Sequence, residues 1–382
     1  MNYLQFIDSI QQNQPALSGL RFLVSGVDSR VRRIIGQDIL SSSFARGKTL
    51  LVVNNIQNNN EVIDNFGQYR IVNALDGKVS LCPDLFNVNS IGNISRLRTV
   101  LADLEFDAAR TMRVITYLKF ISETEKRLNG STELSISILE QYGSVSLVQN
   151  KLKELVKKRT ISSENYNYLL ERYSEVSSAA ADFENVLVLL SPFLGDMEPK
   201  QNMALIFPIG KFTNDKPMQE MLCKFLTFYA AQNVEHIVIL ILDDGNGQDR
   251  KHIINILKSI HVNTEVHMFS NDAFSLDEDC LGVIMNTFQV RIYTRHSNML
   301  SCEKISQQCG QIDVVKHSST VTIDRRFRAN STWDMLLGTN RTETSISNAP
   351  VKEFLFQIER INSFLDGTGI VDYEGNKVLF SF

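Results

Sequence analysis

Hydrophobic positions in the first third of the chain form short apolar runs separated by stretches of helical spacing. The first run, residues 21–26, ends at a glycine, and apolar residues then recur every three or four positions through Ile39. A second run covers residues 49–53. Short runs that are apolar throughout are typical of strands covered on both faces, and the order strand, helix, strand predicts a parallel sheet.

The same alternation of strands and helices returns after residue 195. We predict strands at 204–207, 236–242, 265–269 and 290–293, helices at 218–232, 253–260 and 301–309, two further short strands at 70–72 and 79–82, and a terminal hairpin of 369–373 with 377–380. This order favours an α/β fold with three layers and a mainly parallel sheet.

Residues 96–195 have a different character, because apolar positions keep a helical spacing without a strand-like run. One long helix is predicted from about residue 95 to Asn129, and further helices over 132–142, 144–159 and 163–190. We therefore expect an all-α subdomain at 96–195, inserted into a discontinuous sheet domain of residues 1–95 and 196–382.

Composition narrows the class of protein. Of the 382 residues, 43% are hydrophobic and 21% charged, which is globular, and 39 Lys+Arg against 43 Asp+Glu argues against a general binder of nucleic acid or membranes. The chain shows neither a signal-peptide pattern nor an apolar run near the ~18–20 residues that cross a bilayer. We expect a cytoplasmic protein without an integral membrane segment, and a peripheral place at the inner face of the membrane is the variant left open.

The spacing of the cysteines and histidines is not typical of a disulfide framework or a metal site. The five cysteines contain no C-x-x-C pair, and the six histidines show no H-x-x-x-H or H-E-x-x-H spacing. Neither a disulfide framework nor a metal site is predicted.

The loop after the first strand stands where a P-loop NTPase binds phosphate. Aligning Gly26 with the first glycine of that motif places Val31 at the second glycine, Arg32 at the lysine and Arg33 at the Ser/Thr that holds Mg²⁺. The branched Val31 and the cationic Arg33 do not suit those positions. Taken alone, the loop is most simply interpreted as an ordinary connection between a strand and a helix. The candidate nucleotide-binding residues are Gly26, Asp28, Ser29, Arg30, Arg32 and Arg33.

A second candidate motif lies at the end of the strand 236–242. Asp243 and Asp244 follow seven mostly apolar residues, which is the shape of a Walker B strand whose acids hold the Mg²⁺ water shell. The alternative is a buried strand that ends in a polar turn, since Gly245 and Gly247 follow directly.

The order of these motifs resembles the FtsK/HerA-like motor superfamily, and within it the TraG/TraD-type coupling ATPases of conjugation and type IV secretion. Three C-terminal segments carry part of the resemblance, namely FQVRIYTR at 288–295, SCEKISQQCG at 301–310 and INSFLDGTGIV at 361–371. The resemblance implies a RecA-like P-loop NTPase fold, ring assembly, and catalytic roles for the Walker B acids and a polar sensor.

This chain departs from the pattern of that superfamily at each nucleotide-handling position. The Walker A residues are replaced, Asp244 stands for the catalytic glutamate, and Asn271 is the amide nearest to the sensor position. We therefore interpret Asp243, Asp244 and Asn271 as a degenerate Walker B and sensor set, and expect no hydrolysis. No cofactor is expected; ATP and Mg²⁺ are the ligands to test if the altered site still binds.

Basic residues elsewhere suggest contacts with partners. Arg291 and Arg295 alternate on the predicted strand, so either could act on a neighbouring subunit of a ring as a trans-acting arginine. A DNA contact is conceivable at Arg325, Arg326 and Arg328, which surround Phe327. A salt-bridged surface and a solvated loop are the simpler alternatives.

Three functions follow. The first is an inactive P-loop-fold component of a conjugation or type IV secretion-like machine that translocates DNA or protein, with other subunits of the apparatus, DNA, or a homo- or hetero-oligomeric ring as partners. The second is an active ATPase in which Arg32 or Lys48 replaces the usual lysine. The third is a nucleotide- or phosphate-sensing regulator that uses Arg30, Arg32 and Arg33.

Overall fold

The chain divides into two units, one of residues 1–294 with 366–382 and one of residues 295–365. The computed structural model describes residues 21–56, 66, 68–82, 84–130, 134–157, 161–195, 197–212, 214–244, 250–275, 278–324, 341–373 and 375–381.

Strands and helices alternate along most of the described chain. The strands β1 to β11 are Phe22–Ser25, Thr49–Asn55, Arg70–Asn73, Met203–Phe207, Ile237–Asp243, Glu265–Ser270, Val290–Tyr293, Gln311–Asp324, Arg341–Phe354, Thr368–Tyr373 and Asn376–Ser381. The α-helices α1 to α12 are Ser29–Ala45, Ile91–Asp103, Ala108–Asn129, Ile136–Glu140, Val145–Lys157, Ser163–Val176, Ala180–Leu190, Lys216–Gln232, Lys251–Ser259, Glu278–Thr287, Met299–Cys309 and Ile358–Asn362.

The first unit is built on a mainly parallel sheet. Its nine strands lie in the order β11-β10-β7-β1-β6-β5-β2-β4-β3. The seven strands from β7 to β3 pair in parallel, and the hairpin of β10 and β11 adds to β7 in antiparallel fashion. The predicted α/β class and terminal hairpin are confirmed.

Both faces of the sheet are covered, as the apolar runs require. All seven residues of β5 and all seven of β2 are buried. On one face, Val31, Ile35 and Ile39 of α1 pack with Val24 and Val52 in a single hydrophobic cluster. Burial on two sides explains why these strands lack the polar alternation of a sheet with one wet face.

Two predictions about local structure are wrong. Residues 79–82 do not form a strand, since Val79 makes only a single bridge to Met197. The predicted long helix from residue 95 is two helices, α2 and α3. Glu105 between them has a φ of 59°, and Asp107 caps α3 by accepting from the Arg110 N–H at 2.7 Å. A capping residue inside an otherwise helical pattern divides it into two elements.

Between α2 and α7 the described residues form helices and no strand, as the sequence predicts. Within them α3 contacts α6 and α7, and α2 also contacts α8 after the sheet resumes. Assignment of residues 96–195 to a separate subdomain stays a prediction.

The second unit contains a two-stranded ribbon that the sequence did not reveal. β8 and β9 pair in antiparallel register from Gln311 opposite Phe354 to Asp324 opposite Arg341. Ser, Thr, Asn and charged residues dominate both strands, so the search for apolar runs passed over them.

Within the described ranges, no helix combines the length and the apolar character needed to span a bilayer.

Candidate functional site

Three polar residues end neighbouring strands at the carboxyl edge of the sheet. Strand register places Asn55 of β2 opposite Asp243 of β5, and Asp243 opposite Ser270 of β6. Because partners in register point to the same face of a sheet, their side chains meet. β5 is apolar from Ile237 to Leu242, and its register with β2 and β6 brings the polar residue at the end of each strand into one cluster.

Asp243 lies at the centre of this cluster and is completely buried. Its Oδ1 accepts a hydrogen bond from Asn55 Nδ2 at 3.0 Å, and its Oδ2 accepts one from Ser270 Oγ at 2.7 Å. Arg250 Nη2 lies 3.2 Å from the same Oδ2. The carboxylate is therefore neutralised and hydrogen-bonded from within the chain.

Arg250 is the residue of this site that the sequence analysis missed. It stands immediately before α9, its side chain is 2% exposed, and its Nη1 also donates to the Asp272 carbonyl at 3.0 Å. A charged group so deeply buried is stable only when it is paired. In the sequence, Arg250 is a single arginine between a glycine-containing segment and a helical pattern, and it belongs to no known motif.

The loop that follows β1 lies on the same edge as Asp243. Gly26 has a φ of 128°, a conformation that favours glycine, and its N–H donates to the Ser270 carbonyl at 3.0 Å. Only β6 separates β1 from β5, so the loop and the acid are about 10 Å apart in the strand-to-strand direction. The loop and the acid therefore lie at the same edge of the sheet with one strand between them.

Asp28 closes the start of α1. Its Oδ1 accepts from the N–H groups of Arg30 at 2.9 Å and Val31 at 3.1 Å, and its Oδ2 accepts from the Gly367 N–H at 2.6 Å. The N-terminal N–H groups of a helix are the ones that bind phosphate in a P-loop. Here an internal carboxylate, 2% exposed, occupies two of them.

Arg32 lies one turn into α1 with most of its guanidinium in the protein interior. Its Nε and Nη2 are buried and have no hydrogen-bond partner among the described residues. Burial lowers the pKa of Arg32 to about 10, although the negative charges of Asp243 and Asp28 raise it in part. The side chain stays cationic at neutral pH and faces two carboxylates.

The remaining residues predicted for nucleotide contact surround the same place. Ser29, Arg30 and Arg33 are exposed on the first turns of α1, while Asp244 and Asn271 are partly exposed after β5 and β6. All five line one cavity together with Arg32. The structure thus brings together the predicted Walker B acids, the predicted sensor amide and the predicted phosphate loop.

Arg291 and Arg295 do not share a strand as predicted. β7 ends at Tyr293, so Arg295 falls beyond it as the first residue of the second unit, where it is exposed. Arg291 donates to the carbonyls of Phe288 and Met285 and to Asp372 Oδ2 at 3.1 Å. A guanidinium held in this way links β7 to β10, and the trans-acting role stays a prediction.

The remaining basic candidates are Lys48 and the group of Arg325, Arg326 and Arg328. Lys48 precedes β2, at the amino edge of the sheet, and its Nζ donates to the Glu235 carbonyl. It therefore lies at the edge opposite to the Gly26 loop and cannot replace a Walker A lysine. Arg325, Arg326 and Arg328 lie outside the described residues.

The side chains present do not fit a nucleotide-bound magnesium ion. Mg²⁺ needs carboxylate oxygens open to its water shell and a hydroxyl ligand from the phosphate loop. Both oxygens of Asp243 are hydrogen-bonded in the interior, and Arg33 stands where the hydroxyl would be. The Arg250 guanidinium lies beside the carboxylate that would bind the metal ion, and the Asp28 carboxylate binds the N–H groups that would bind phosphate.

Comparison with known proteins supports the fold. The sequence matches no protein-family model and no curated protein. Its structure is similar to the bacterial conjugative coupling protein TrwBdeltaN70 in its unbound monoclinic form, with a TM-score of 0.50 and 12% identity over 97% of this chain and 86% of that one.

Two further solved structures are similar at lower scores. Plasmid coupling protein TrwB in complex with ADP and Mg²⁺ has a TM-score of 0.48 and 14% identity, covering 95% of this chain and 84% of that one. VirB4 of Thermoanaerobacter pseudethanolicus has a TM-score of 0.46 and 8% identity, covering 95% and 89%. The similarity to the unbound coupling protein, which covers 97% of this chain, confirms the RecA-like α/β fold expected from the resemblance.

Proposed function

We propose that the chain is a non-hydrolysing component of an assembly that translocates DNA or protein, of the conjugation or type IV secretion kind. The fold is similar to that of a conjugative coupling protein, and the Asp243 carboxylate and the first N–H groups of α1 are already bound by other groups of the same chain. The role is then structural or adaptor-like.

The state of Asp243 carries this proposal. A Walker B acid works by orienting metal-bound water, and phosphoryl transfer depends almost entirely on such positioning and charge stabilisation. Here Asn55, Ser270 and Arg250 occupy the carboxylate, which has no solvent exposure. Releasing it for a metal ion would leave the buried Arg250 without its partner, at a cost of about 3–5 kcal/mol.

An active ATPase with an altered loop is the competing function. Arg32 is the cation that could take the place of the lysine, but the Asp28 carboxylate already binds two N–H groups at the start of α1. A phosphate would have to displace that carboxylate, which is also hydrogen-bonded to the Gly367 N–H.

ATP turnover distinguishes the two functions. We expect no Mg²⁺-dependent release of phosphate above that of a buffer blank, and no change in the purified Asp243→Ala variant. Turnover in the wild-type chain that falls in Asp243→Ala would show an active motor and reject the proposal.

Partners are proposed from the fold and are tested separately. Coupling to other subunits, assembly into a ring and contact with DNA would each be expected of a component of such a machine. Because each phosphate contact releases counterions, a plot of log affinity for duplex DNA against log salt should have a negative slope close to the number of contacts. A flat plot would remove DNA from the proposal, and a monomer at all concentrations would remove the homo-oligomeric ring.

A further inference from the structure

A cavity of about 470 Å³ lies between α1 and the sheet, within the range of volumes that hold small organic ligands. Its apolar wall contains two phenylalanines and four aliphatic residues, namely Phe66, Phe269, Leu40, Ile56, Leu240 and Leu242. Water beside such a wall finds few hydrogen-bond partners, so an apolar ligand that displaces this water gains free energy on binding.

The sequence of α1 leaves this space open. Val31, Ile35 and Ile39 are buried and fill one stripe of the helix against the sheet. Gly36 lies on the neighbouring stripe and has no side chain. The nearest atom to a Cβ built there is Phe269 Cζ at 3.9 Å. A longer side chain at this position would occupy part of the cavity, so the glycine keeps the space between α1 and β6 free.

The two ends of the cavity differ in polarity. Ser29, Arg30 and Arg33 on the first turns of α1 line the end at the carboxyl edge of the sheet, together with Asn271 after β6. Leu40 lies eleven residues after Ser29 on α1, which corresponds to about 16 Å at 1.5 Å per residue. An occupant would therefore place its apolar part towards Leu40 and any polar substituent towards the carboxyl edge.

The wall on the side of the sheet suits a flat ring. Leu242 of β5 and Phe269 of β6 are partners in register, so their side chains lie next to each other on the face that α1 covers. A ring placed on these two residues beneath α1 would contact apolar atoms on both of its faces. Aromatic pairs also gain stabilisation beyond the burial of apolar area, and Phe269 provides such a partner.

The charges in the interior beside the cavity are already balanced. Two buried carboxylates, those of Asp28 and Asp243, lie near two largely buried guanidiniums, those of Arg32 and Arg250, and these four charges sum to zero. A ligand that carried a charge into the apolar part would leave it without a partner, which is costly. The arginines at the polar end are exposed, so an ion pair with one of them would raise affinity by no more than about fivefold.

We propose that this cavity binds a small uncharged aromatic molecule, with its ring between Gly36 of α1 and the surface formed by Leu242 and Phe269. The binding uses apolar contact and needs no hydrogen bond from a group in the interior. The inference does not rest on the proposed function, because an adaptor and an active motor could each hold such a ligand.

Calorimetric titration of the full chain tests the charge of the ligand. The probes are 2-naphthol, naphthalene-2-sulfonate and 2-naphthylmethylamine, which share one ring system and are neutral, negative and positive at neutral pH. We expect 2-naphthol to bind at one site with a Kd between about 10 μM and 1 mM, as its roughly eleven non-hydrogen atoms allow. Each of the two ions should bind at least about tenfold more weakly, because its charge lacks a partner in the interior.

Two glycine variants locate the ring. Gly36→Leu places an isobutyl group in the cavity and should weaken the binding of 2-naphthol at least about tenfold. Gly282→Leu is the matched control, because Gly282 also lies inside a helix, α10, has open space around an added Cβ and does not line the cavity. The control should leave the Kd within about twofold of wild type. Thermal melting shows whether each variant is folded.

A second pair of variants decides the outcome if Gly36→Leu fails to fold. Leu40→Gln makes the apolar end of the cavity polar and should weaken the binding of 2-naphthol at least about fivefold. Leu147→Gln is its control, since Leu147 on α5 is 47% exposed and does not line the cavity. This control should leave the Kd within about twofold of wild type.

Three results would overturn the site. They are the absence of saturable heat with 2-naphthol, binding of either ion as tight as that of 2-naphthol, and equal effects of a cavity variant and its control. Binding of ATP with Mg²⁺ that leaves the Kd of 2-naphthol unchanged would contradict the proposed function alone. Competition between ATP and 2-naphthol would contradict both proposals, because the cavity would then accept a highly charged ligand.

Discussion

At the scale of single residues, Arg250 determines the state of the candidate site. Its guanidinium lies beside the Asp243 carboxylate. In a P-loop enzyme, a bound Mg²⁺ ion provides the positive charge near the corresponding acid. A buried ion pair of this kind contributes little net stability compared with an apolar pair. Removal of one partner nevertheless destabilises the fold strongly, because the other charge stays in the interior without a partner.

We therefore expect Arg250→Met to lower the free energy of unfolding by about 3–5 kcal/mol. Methionine keeps much of the length of the side chain but leaves the Asp243 carboxylate without a direct cationic partner. Urea unfolding followed by far-UV circular dichroism measures the change.

Arg33→Met is the matched control for this variant. Arg33 is exposed on α1, so its replacement should change the free energy of unfolding by less than about 0.5 kcal/mol. Equal effects of the two substitutions would mean that the pair of Arg250 and Asp243 does not organise the site.

At the scale of secondary-structure elements, Glu265 joins the end of α1 to the start of β6. Arg46, the C-cap of α1, donates to both oxygens of Glu265 at 2.8 Å, and His267 Nε2 lies 3.1 Å from Oε1. Burial alone would raise the pKa of Glu265, but the hydrogen bonds and charges of His267 and Arg46 together lower it to about 2.

This shift predicts a loss of stability in acid. Because the pKa of Glu265 in the folded chain is below its ordinary value of 4.5, the carboxylate stabilises the fold above pH 4.5, and that contribution is lost as the pH falls from 4.5 towards 2. The contribution of the Glu265 carboxylate to the free energy of unfolding is about 3 kcal/mol. Glu265→Gln should be less stable than wild type by that amount at pH 6, and the difference should shrink below about 1 kcal/mol near pH 2.5.

Thermal or urea unfolding of both chains at the two pH values provides the comparison. A difference between wild type and Glu265→Gln that is the same at pH 6 and pH 2.5 would show that the carboxylate is not stabilised in its ionised form.

Helix α1 offers a second prediction at this scale. Gly36 lies in its interior, and the nearest atom to an added Cβ, Phe269 Cζ at 3.9 Å, is at an ordinary contact distance. Gly36→Ala should raise the free energy of unfolding by about 0.5–1 kcal/mol, because alanine has the higher helix propensity and nothing must move. A decrease in the free energy of unfolding, measured by urea unfolding, would mean that the space beside Gly36 cannot hold a methyl group.

Elements that bury apolar residues on a regular spacing were predictable from the sequence, and elements without that spacing were not. β5 and β2 are apolar except for Thr49 and the polar residues at their carboxyl ends, and they lie within two residues of the predicted bounds. The ribbon of β8 and β9 is rich in polar residues, so periodicity gave no signal. The break between α2 and α3 depends on the cap at Asp107, which local spacing alone did not separate from a continuous helix.

At the scale of the whole molecule, a RecA-like α/β fold is combined with a sheet edge at which the carboxylates of Asp243 and Asp28 are bound by other groups of the same chain. Motif order along the sequence was enough to predict the fold and to place Asp243, Asn271 and the Gly26 loop together. It was not enough to find Arg250 or Asn55, because their roles depend on which side chains meet across three strands. Hydrogen-bond partners of this kind belong to no sequence motif, so only the three-dimensional arrangement identifies them.

The central claim is that this edge holds no nucleotide with its metal, and calorimetric titration of the full chain with ATP and Mg²⁺ measures it directly. The account predicts no saturable heat up to millimolar ATP, and no shift of the melting temperature with the same ligands. A stoichiometric binding isotherm that requires Mg²⁺ and is lost in Asp243→Asn would contradict it.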